Sequence, residues 1–577
     1  MADKRAGRLH QPGASETPWL VALGCIAAAV LLGGAWLAAA GLDSTVTTAA
    51  ETTNPLEVVG QQLQGNLGLG STQLLLFGLF ALVLTCIAVF LVWAIRKQSV
   101  SRSRVDHLAS KMSRARDFAP MTGKQAKAEA QRFGVEDGVA LGKLVNDGKS
   151  LFASWEWVQT WIMGPRAGKT SCVCVPQVVE APGAVIATSN KRDIVDLTRG
   201  PRSRKGVVWV HDAQNIIGEE PSWWWNPLSF VRDMERAEAL TDIFISSASS
   251  AGAKQDAYFE SDGKRLLSHM FFAAAVAQKP ITDVFVWAQD PDDKTPRNDL
   301  YEAGYPALAE ALDGIQSLTP KQRDGVYGTM RPWVNVLSYE RVIPWITDDK
   351  SRGRRPEFDH TRFATTTDTL FLISKEGAGT ARAIAAALAV AVLTEAEERA
   401  AEQPQGRLAT PMMGVLDEVA NVVRWRQLPD VYSHYGSRGI VLSSFFQSWD
   451  QGIEAFGEQG MRKLWSASNI RVAGSGLSDD KFLPFLSRIV GDHDVVRRTS
   501  STTGSFRRQY SSMVNRERTL DESDLSALPQ GRAILSTSGM PPALLKLEHF
   551  SEKPYGEDCT ESEAFYGSKF TVNVTQK

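Results

Sequence analysis

Cysteine is scarce: five occur among 577 residues (Cys25, Cys86, Cys172, Cys174 and Cys559), and no C-x-x-C is present. A disulfide scaffold and a zinc-finger array are therefore excluded, and the bulk of the chain reads as belonging to a reducing compartment. The eight histidines show no H-E-x-x-H or paired spacing, which removes the zinc-protease pattern. An excess of one charge is missing as well. The formal net charge is -2, and residues 96–577 carry equal numbers of acids and bases, so any nucleic-acid contact has to come from a local patch or a pore lining. No internal repeat runs through 120–577. The length suggests two to four folded units, not one small module.

Long apolar runs, by contrast, are present near the start. Trp19–Leu42 contains no charge, and Leu74–Ile95 repeats the pattern with aromatics near both ends. Each is about the 20 residues that cross a bilayer, and the first is too long for a cleaved signal peptide, so both read as transmembrane helices. Lys4, Arg5 and Arg8 precede the first run, and Arg96, Lys97, Arg102, Arg104, Lys111, Arg114 and Arg116 follow the second. The connector Asp43–Gln73 has no Lys or Arg. That asymmetry puts both termini in the cytoplasm. The basic segment 96–116 reads equally as a headgroup contact or as a solvated linker.

Beyond residue 150, short β-rich apolar runs alternate with helical patterns, which implies an α/β domain with a largely parallel sheet. The expected strands are Trp157–Met163, Ala184–Thr188, Gly206–His211, Thr369–Ile373, Met413–Leu416, Ile440–Phe446, Ile470–Ala473 and Ala533–Ser536. Between Asp233 and Val336 the pattern turns to helix after helix and reads as an all-helical insertion. Polar stretches 349–357 and 499–519 read as exposed loops. The expected organisation is a tail (1–18), a membrane anchor (19–95), a juxtamembrane linker (96–150) and a nucleotide-binding domain in two parts (151–232 and 337–548). The insertion (233–336) separates those parts, and a C-terminal tail (549–577) ends the chain.

The chemistry starts where the first of these strands ends. Gly164, Pro165, Arg166, Ala167, Gly168, Lys169, Thr170 and Ser171 lie between a β-run and a helical segment, the context of a phosphate-binding loop. Glycines let backbone N–H groups turn toward phosphates, Lys169 can reach the β and γ phosphates of ATP, and the Thr170 hydroxyl can ligate Mg2+. Only three residues separate Gly164 from Gly168, so Met163 takes the first glycine position of the usual G-x-x-x-x-G-K-[ST] pattern. A second run, Met412–Glu418, ends in two acids, Asp417 for the Mg2+ shell and Glu418 for polarising water, or else a helix-capping pair. A third, Ile440–Phe446, ends in Gln447, placed to sense the γ-phosphate or to serve as a loop amide. No metal other than Mg2+ is indicated. The cluster Trp223–Trp225 reads as packing an inter-domain surface, with base stacking as the alternative.

GPRAGKTS, VIATSNKRDIV (185–195), NPL (226–228), FDHTRF followed by TLFLISKEG, LDEVAN (416–421), SRGIVLSSFFQS (437–448) and LDESDLSALPQGRAILSTSGMPP follow one another in order. This series resembles the type IV secretion coupling proteins, the TraG/TraD conjugation ATPases, over roughly residues 155–545. The shortened phosphate loop is the main departure. The resemblance implies a RecA-like P-loop NTPase core behind two transmembrane helices, with Asp417 and Glu418 as the Walker B pair and Gln447 as the polar strand end. It also makes Arg438 a candidate finger for a neighbour's site, beside its reading as an ordinary surface arginine. A plasma-membrane homohexamer with a cytoplasmic ATPase domain is implied, passing DNA, single-stranded within a ring pore, or relaxase-bound DNA to a type IV secretion channel. The insertion would receive the relaxosome. An FtsK-like DNA pump and a nucleotide-binding receptor without turnover are the alternative functions.

Overall fold

The computed structural model describes residues 31, 33–98, 103, 105–248, 257–375, 381–503 and 507–575. The chain divides into two compact units, Met1–Arg102 and Ser103–Lys577.

In the first unit, residues 33–42 are helical, followed by helices Ser44–Ala49, Pro55–Leu63 and Ser71–Gln98. Asp43 organises the connector. Its side chain accepts from the Thr45 N–H that opens the second helix and, at 2.6 Å, from the N–H of Gln73 in the first turn of the last. Among the described residues no helix is long and apolar enough to cross a membrane. The two expected spans therefore rest on the sequence alone: Trp19–Leu42 lies mostly outside the described residues, and Leu74–Ile95 falls within the continuous helix Ser71–Gln98.

The second unit is organised by an eleven-stranded sheet. In chain order its strands are β1 (Val139–Leu144), β2 (Ser150–Ala153), β3 (Gln159–Ile162), β4 (Val185–Ser189), β5 (Val208–His211), β6 (Thr369–Ile373), β7 (Met412–Leu416), β8 (Ile440–Phe446) and β9 (Ile470–Gly474). A separate two-stranded ribbon follows, β10 (Asp492–Thr503) with β11 (Arg507–Arg518), and then β12 (Arg532–Thr537) and β13 (Met540–Lys546) return to the large sheet. The spatial order is β2-β1-β13-β12-β9-β3-β8-β7-β4-β6-β5. From β9 to β5 every pairing is parallel, whereas β12, β13, β1 and β2 extend the β9 edge as an antiparallel meander. Every residue of β3, β4, β6, β7 and β8 is buried. That is why these strands read as continuous apolar runs: helices cover both faces of a parallel sheet.

Between β5 and β6 the described residues form helices and turns, apart from one bridge between Trp224 and Glu357. The long helices there are Met234–Ala248, Ala257–Val276, Pro306–Gln316 and Pro320–Val334. Trp223 and Trp225 are buried where this region meets the sheet, Trp223 edge-on to Trp209 and Trp345. Packing, not an exposed stacking surface, is what these rings provide.

Three of the segments read from the sequence, 96–150, 499–519 and 549–577, differ in the structure. The expected linker 96–150 supplies β1 and a residue of β2, because GVALGKL pairs with β13 and β2 despite its glycines. The expected loop 499–519 lies largely in the β10–β11 ribbon, whose register runs from Asp492 opposite Arg518 to Thr503 opposite Arg507. Backbone pairing needs no apolar alternation, so a Ser/Thr/Arg sequence conceals it. The loop 349–357 is largely exposed, as its sequence reads, and holds one short helical turn, Lys350–Arg352, and the Glu357 bridge. The expected tail is mostly helix Gly556–Thr575, docked on helix Asp193–Ser203, where the Ser562 hydroxyl donates to the Asp196 carbonyl and accepts from the Gly200 N–H.

Candidate nucleotide site

A cavity of about 390 Å3 opens at the C-terminal edge of the parallel strands β3, β8, β7 and β4. All of Gly164, Pro165, Arg166, Ala167, Gly168, Lys169, Thr170 and Ser171 line it, together with Asp417, Glu418 and Gln447. In open α/β sheets this edge is where ligands bind.

The loop leaves β3 through buried Met163 and turns in a small space. A Cβ on Gly164 would lie 2.1 Å from the Gly476 carbonyl oxygen, and the Gly164 N–H donates to the Ser475 carbonyl at 2.9 Å. Only glycine fits so close an approach. Gly168 has a φ of +86° and Arg166 one of +59°, so the shortened loop still reverses direction before the π-helical turn Thr170–Cys174 and the helix Val175–Glu180. The loop thus closes around the cavity although Met163 occupies the first glycine position.

Lys169 reaches across the cavity floor to both acids. Its Nζ lies 2.9 Å from Asp417 Oδ1 and 2.5 Å from Glu418 Oε1, and the three side chains are only 11%, 5% and 5% exposed. Glu418 sits in the left-handed region (φ +56°), an uncommon place for a side chain with a Cβ and a frequent one at functional sites. Three amides hold it there. Gln447 Nε2 donates to Oε1 at 2.9 Å, Gln451 Nε2 to Oε2 at 3.2 Å, and Asn421 Nδ2 approaches Oε2 at 3.5 Å.

Two carboxylates facing one ammonium leave a net negative charge in a dry place. Burial would push the Lys169 ammonium down, but Asp417 and Glu418 outweigh it and hold it above the ordinary lysine value. Burial lifts the Asp417 carboxyl to about 6, against the pull of Lys169. Burial acts on Glu418 in the same sense, yet Lys169, Gln447 and Gln451 together keep it below the usual range. Asp417 Oδ1 is buried with the Lys169 ammonium as its partner, so a cation already sits against this carboxylate and the residues present fit a metal cation once the lysine turns to phosphate. Thr170 and Asp417 both line the cavity and supply hard oxygen atoms, a sparse donor set suited to Mg2+, which completes its shell with waters and phosphate oxygens. Among the described residues no cluster of three His, Cys, Asp or Glu side chains could enclose a metal unaided.

Arg438 lies elsewhere. It follows helix Leu428–Ser437 and precedes β8, at the strand end opposite Gln447, and its Nη1 donates to the Gly406 carbonyl at 3.0 Å. The seven residues of β8 separate it from the cavity by roughly 23 Å. Ser189 at the end of β4, Asn190, Lys191 and Asp193 after it, and Gln530 before β12 also line the cavity, residues that the sequence reading leaves aside as site residues. The VIATSNKRDIV and LPQG motifs contained that signal, but only the sheet order brings those loops to the same edge.

The family described as the TraM recognition site of TraD and TraG matches residues 411–530. A conjugal transfer protein TraG of Agrobacterium fabrum (strain C58 / ATCC 33970) is 20% identical over 398 residues, covering 66% of this chain and 58% of that protein. The chain thus spans less than two thirds of that relative. Among solved structures, the plasmid coupling protein TrwB in complex with the non-hydrolysable ATP analogue ADPNP aligns with a TM-score of 0.52 at 15% identity, over 74% of this chain and 93% of that one. TrwB in complex with ADP and Mg2+ aligns with a TM-score of 0.51 at 14% identity, over 74% and 92%. Likeness at this identity is a likeness of fold.

Proposed function

We propose, from the premise that this chain is a relative of the TraG/TraD type IV coupling proteins in motif, sequence and fold, that it is a membrane-anchored ATPase. It couples ATP hydrolysis to transfer of DNA, or of relaxase-bound DNA, through a type IV secretion channel. The observation that carries the reading is the convergence of Lys169, Asp417, Glu418 and Gln447 on one cavity behind a glycine loop.

The chain's own groups divide the chemistry. The loop backbone and Lys169 bind the triphosphate, the ammonium leaving the acids for the β and γ phosphates. Mg2+, when bound by Thr170 and Asp417, neutralises charge on the phosphate oxygens. Glu418, released from Lys169 but still held by amides, orients a water and takes its proton as the water oxygen bonds to the γ-phosphorus and the bond to the β–γ bridging oxygen breaks. Gln447 links Glu418 to the strand end, so loss of the γ-phosphate is felt along β8. Arg438 cannot serve its own cavity, and we assign it to a neighbour's in a homohexameric ring. Its place at the opposite sheet edge supports that assignment.

Membrane anchoring follows from the two uncharged runs and the Lys/Arg asymmetry, with both termini and the ATPase unit cytoplasmic in a plasma membrane. Single-stranded DNA in the ring pore, relaxosome proteins and channel components are the partners of this reading. A mating assay tests it: Lys169→Ala is expected to abolish DNA transfer while the protein stays in the membrane fraction. Normal transfer by that variant would refute the reading.

A further inference from the structure

The proposed hydrolysis creates a positioning problem. Glu418 now shares Lys169 with Asp417, and on the reading above that ammonium turns away to phosphate. Something else must then keep the carboxylate aimed. Gln447 donates to Oε1, the same oxygen that Lys169 occupies at 2.5 Å, so it fixes one end of the carboxylate only. Oε2 is held by Gln451, with Asn421 at the outer limit of hydrogen-bond distance.

Gln451 does more than donate. Its Oε1 accepts the backbone N–H of Gln447 at 2.7 Å, so one amide ties the strand end to the carboxylate. The support beneath it is stiff. Gln451 stands in the first turn of helix Trp449–Ala467, where its own N–H donates to the capping Ser448 hydroxyl at 3.1 Å. The Trp449 N–H donates to Asp479 at 2.9 Å, and the Trp449 ring stacks on Phe482 at 5.0 Å between centroids. Gln451 touches the acid at Oε2 without lining the cavity, whereas Gln447 does line it.

We infer that Gln451 is a positioning residue, the group that keeps Glu418 turned toward the attacking water once Lys169 has moved to the phosphates. The inference rests on the ATPase reading and adds to it a fixed residue on the helix after β8. A misplacement of a reacting group by about 1 Å lowers rate by up to about 100-fold without weakening binding.

The test uses the full-length chain in detergent with Mg2+ and ATP, turnover read as phosphate release and binding as titration with a fluorescent ATP analogue. Gln451→Met keeps the length and removes both hydrogen bonds. Gln451→Glu keeps the acceptor for the Gln447 N–H, replaces the donor to Glu418 by an oxygen and sets a second carboxylate against Oε2. Both variants are expected to lose about 10- to 100-fold in kcat while KM and the analogue's affinity stay within about twofold. Unchanged kcat in Gln451→Met would overturn the inference. So would unchanged kcat in Gln451→Glu alone, because the donor to Glu418 would then be idle, and so would a matching loss of nucleotide binding, the mark of a merely structural residue. A wild-type protein that binds the analogue and releases no phosphate would refute the ATPase reading itself, and the inference with it.

Discussion

Two ionic clusters in the second unit use the same residue types and differ in charge balance. At the junction of the helical region and the helix Arg382–Glu402, Arg232 and Arg236 face Glu395 and Glu398, two cations for two anions. Arg236 also lies over the Phe230 ring, 4.6 Å from its centre. In the cavity, Lys169 alone faces Asp417 and Glu418. A balanced cluster is complete in itself and acts as a staple. An unbalanced one, buried as deeply as this, leaves a carboxylate that a further cation can pair once the lysine moves.

The contrast is broken most directly by removing one cation from each cluster. Lys169→Ala is expected to lower ATP turnover by at least about 100-fold, because it deletes the charge that meets the phosphates. Arg236→Ala is expected to leave kcat within about twofold, phosphate release being the measurement in both. Equal losses would mean that charge balance does not separate chemistry from stapling.

A buried group with no ion partner gives the scale for both clusters. His211 is buried against Trp223 and Trp345, and neither of its ring nitrogens has a hydrogen-bond partner among the described residues. Burial pushes it down to about 4. His360 is likewise pushed down to about 4, burial outweighing the nearby Asp359. The unfolded chain takes up protons below about 6.5 that these folded rings refuse, so stability is full above that pH and falls as the pH drops toward 4. Each ring is expected to remove roughly 2 kcal/mol between pH 7 and pH 5. Urea unfolding at the two pH values checks the loss, and His211→Phe should reduce it by about half. A flat stability profile would show that burial alone does not set these rings.

Glu395→Ala probes the staple with the smallest effect. Glu398 remains to hold both arginines, so a loss of about 1–3 kcal/mol in urea unfolding, with nucleotide affinity unchanged, is expected. A loss of nucleotide binding would couple the staple to the cavity and blur the distinction.

The sequence made the two clusters unequally legible. Lys169, Asp417, Glu418 and Gln447 sit at the ends of apolar runs bounded by turn residues, and β6 and β8 match their expected limits residue for residue. The acids of the staple lie on helix Arg382–Glu402, among Ala and Glu residues that any exposed helix could carry, and nothing in spacing joins them to Arg232. Strand β13 was hidden by Pro541 and Pro542, which normally argue against a strand; it pairs instead at the meander that extends the sheet. Gln451 had a readable signal, a second glutamine four residues beyond Gln447 and just inside the helix that follows the strand end. Its partner Glu418 lies on another strand, so its role emerges only from the tertiary fold.

The proposed function turns on whether the cavity that holds Lys169, Asp417 and Glu418 hydrolyses ATP. The most direct measurement is phosphate release beside ATP binding for the full-length wild type and Glu418→Gln in detergent, with Mg2+ and single-stranded DNA present. The account predicts steady release by the wild type, and a Glu418→Gln protein that binds ATP with similar affinity and releases phosphate at least about 100-fold more slowly. Equal turnover by the two proteins, or ATP binding by the wild type with no phosphate released, would contradict it.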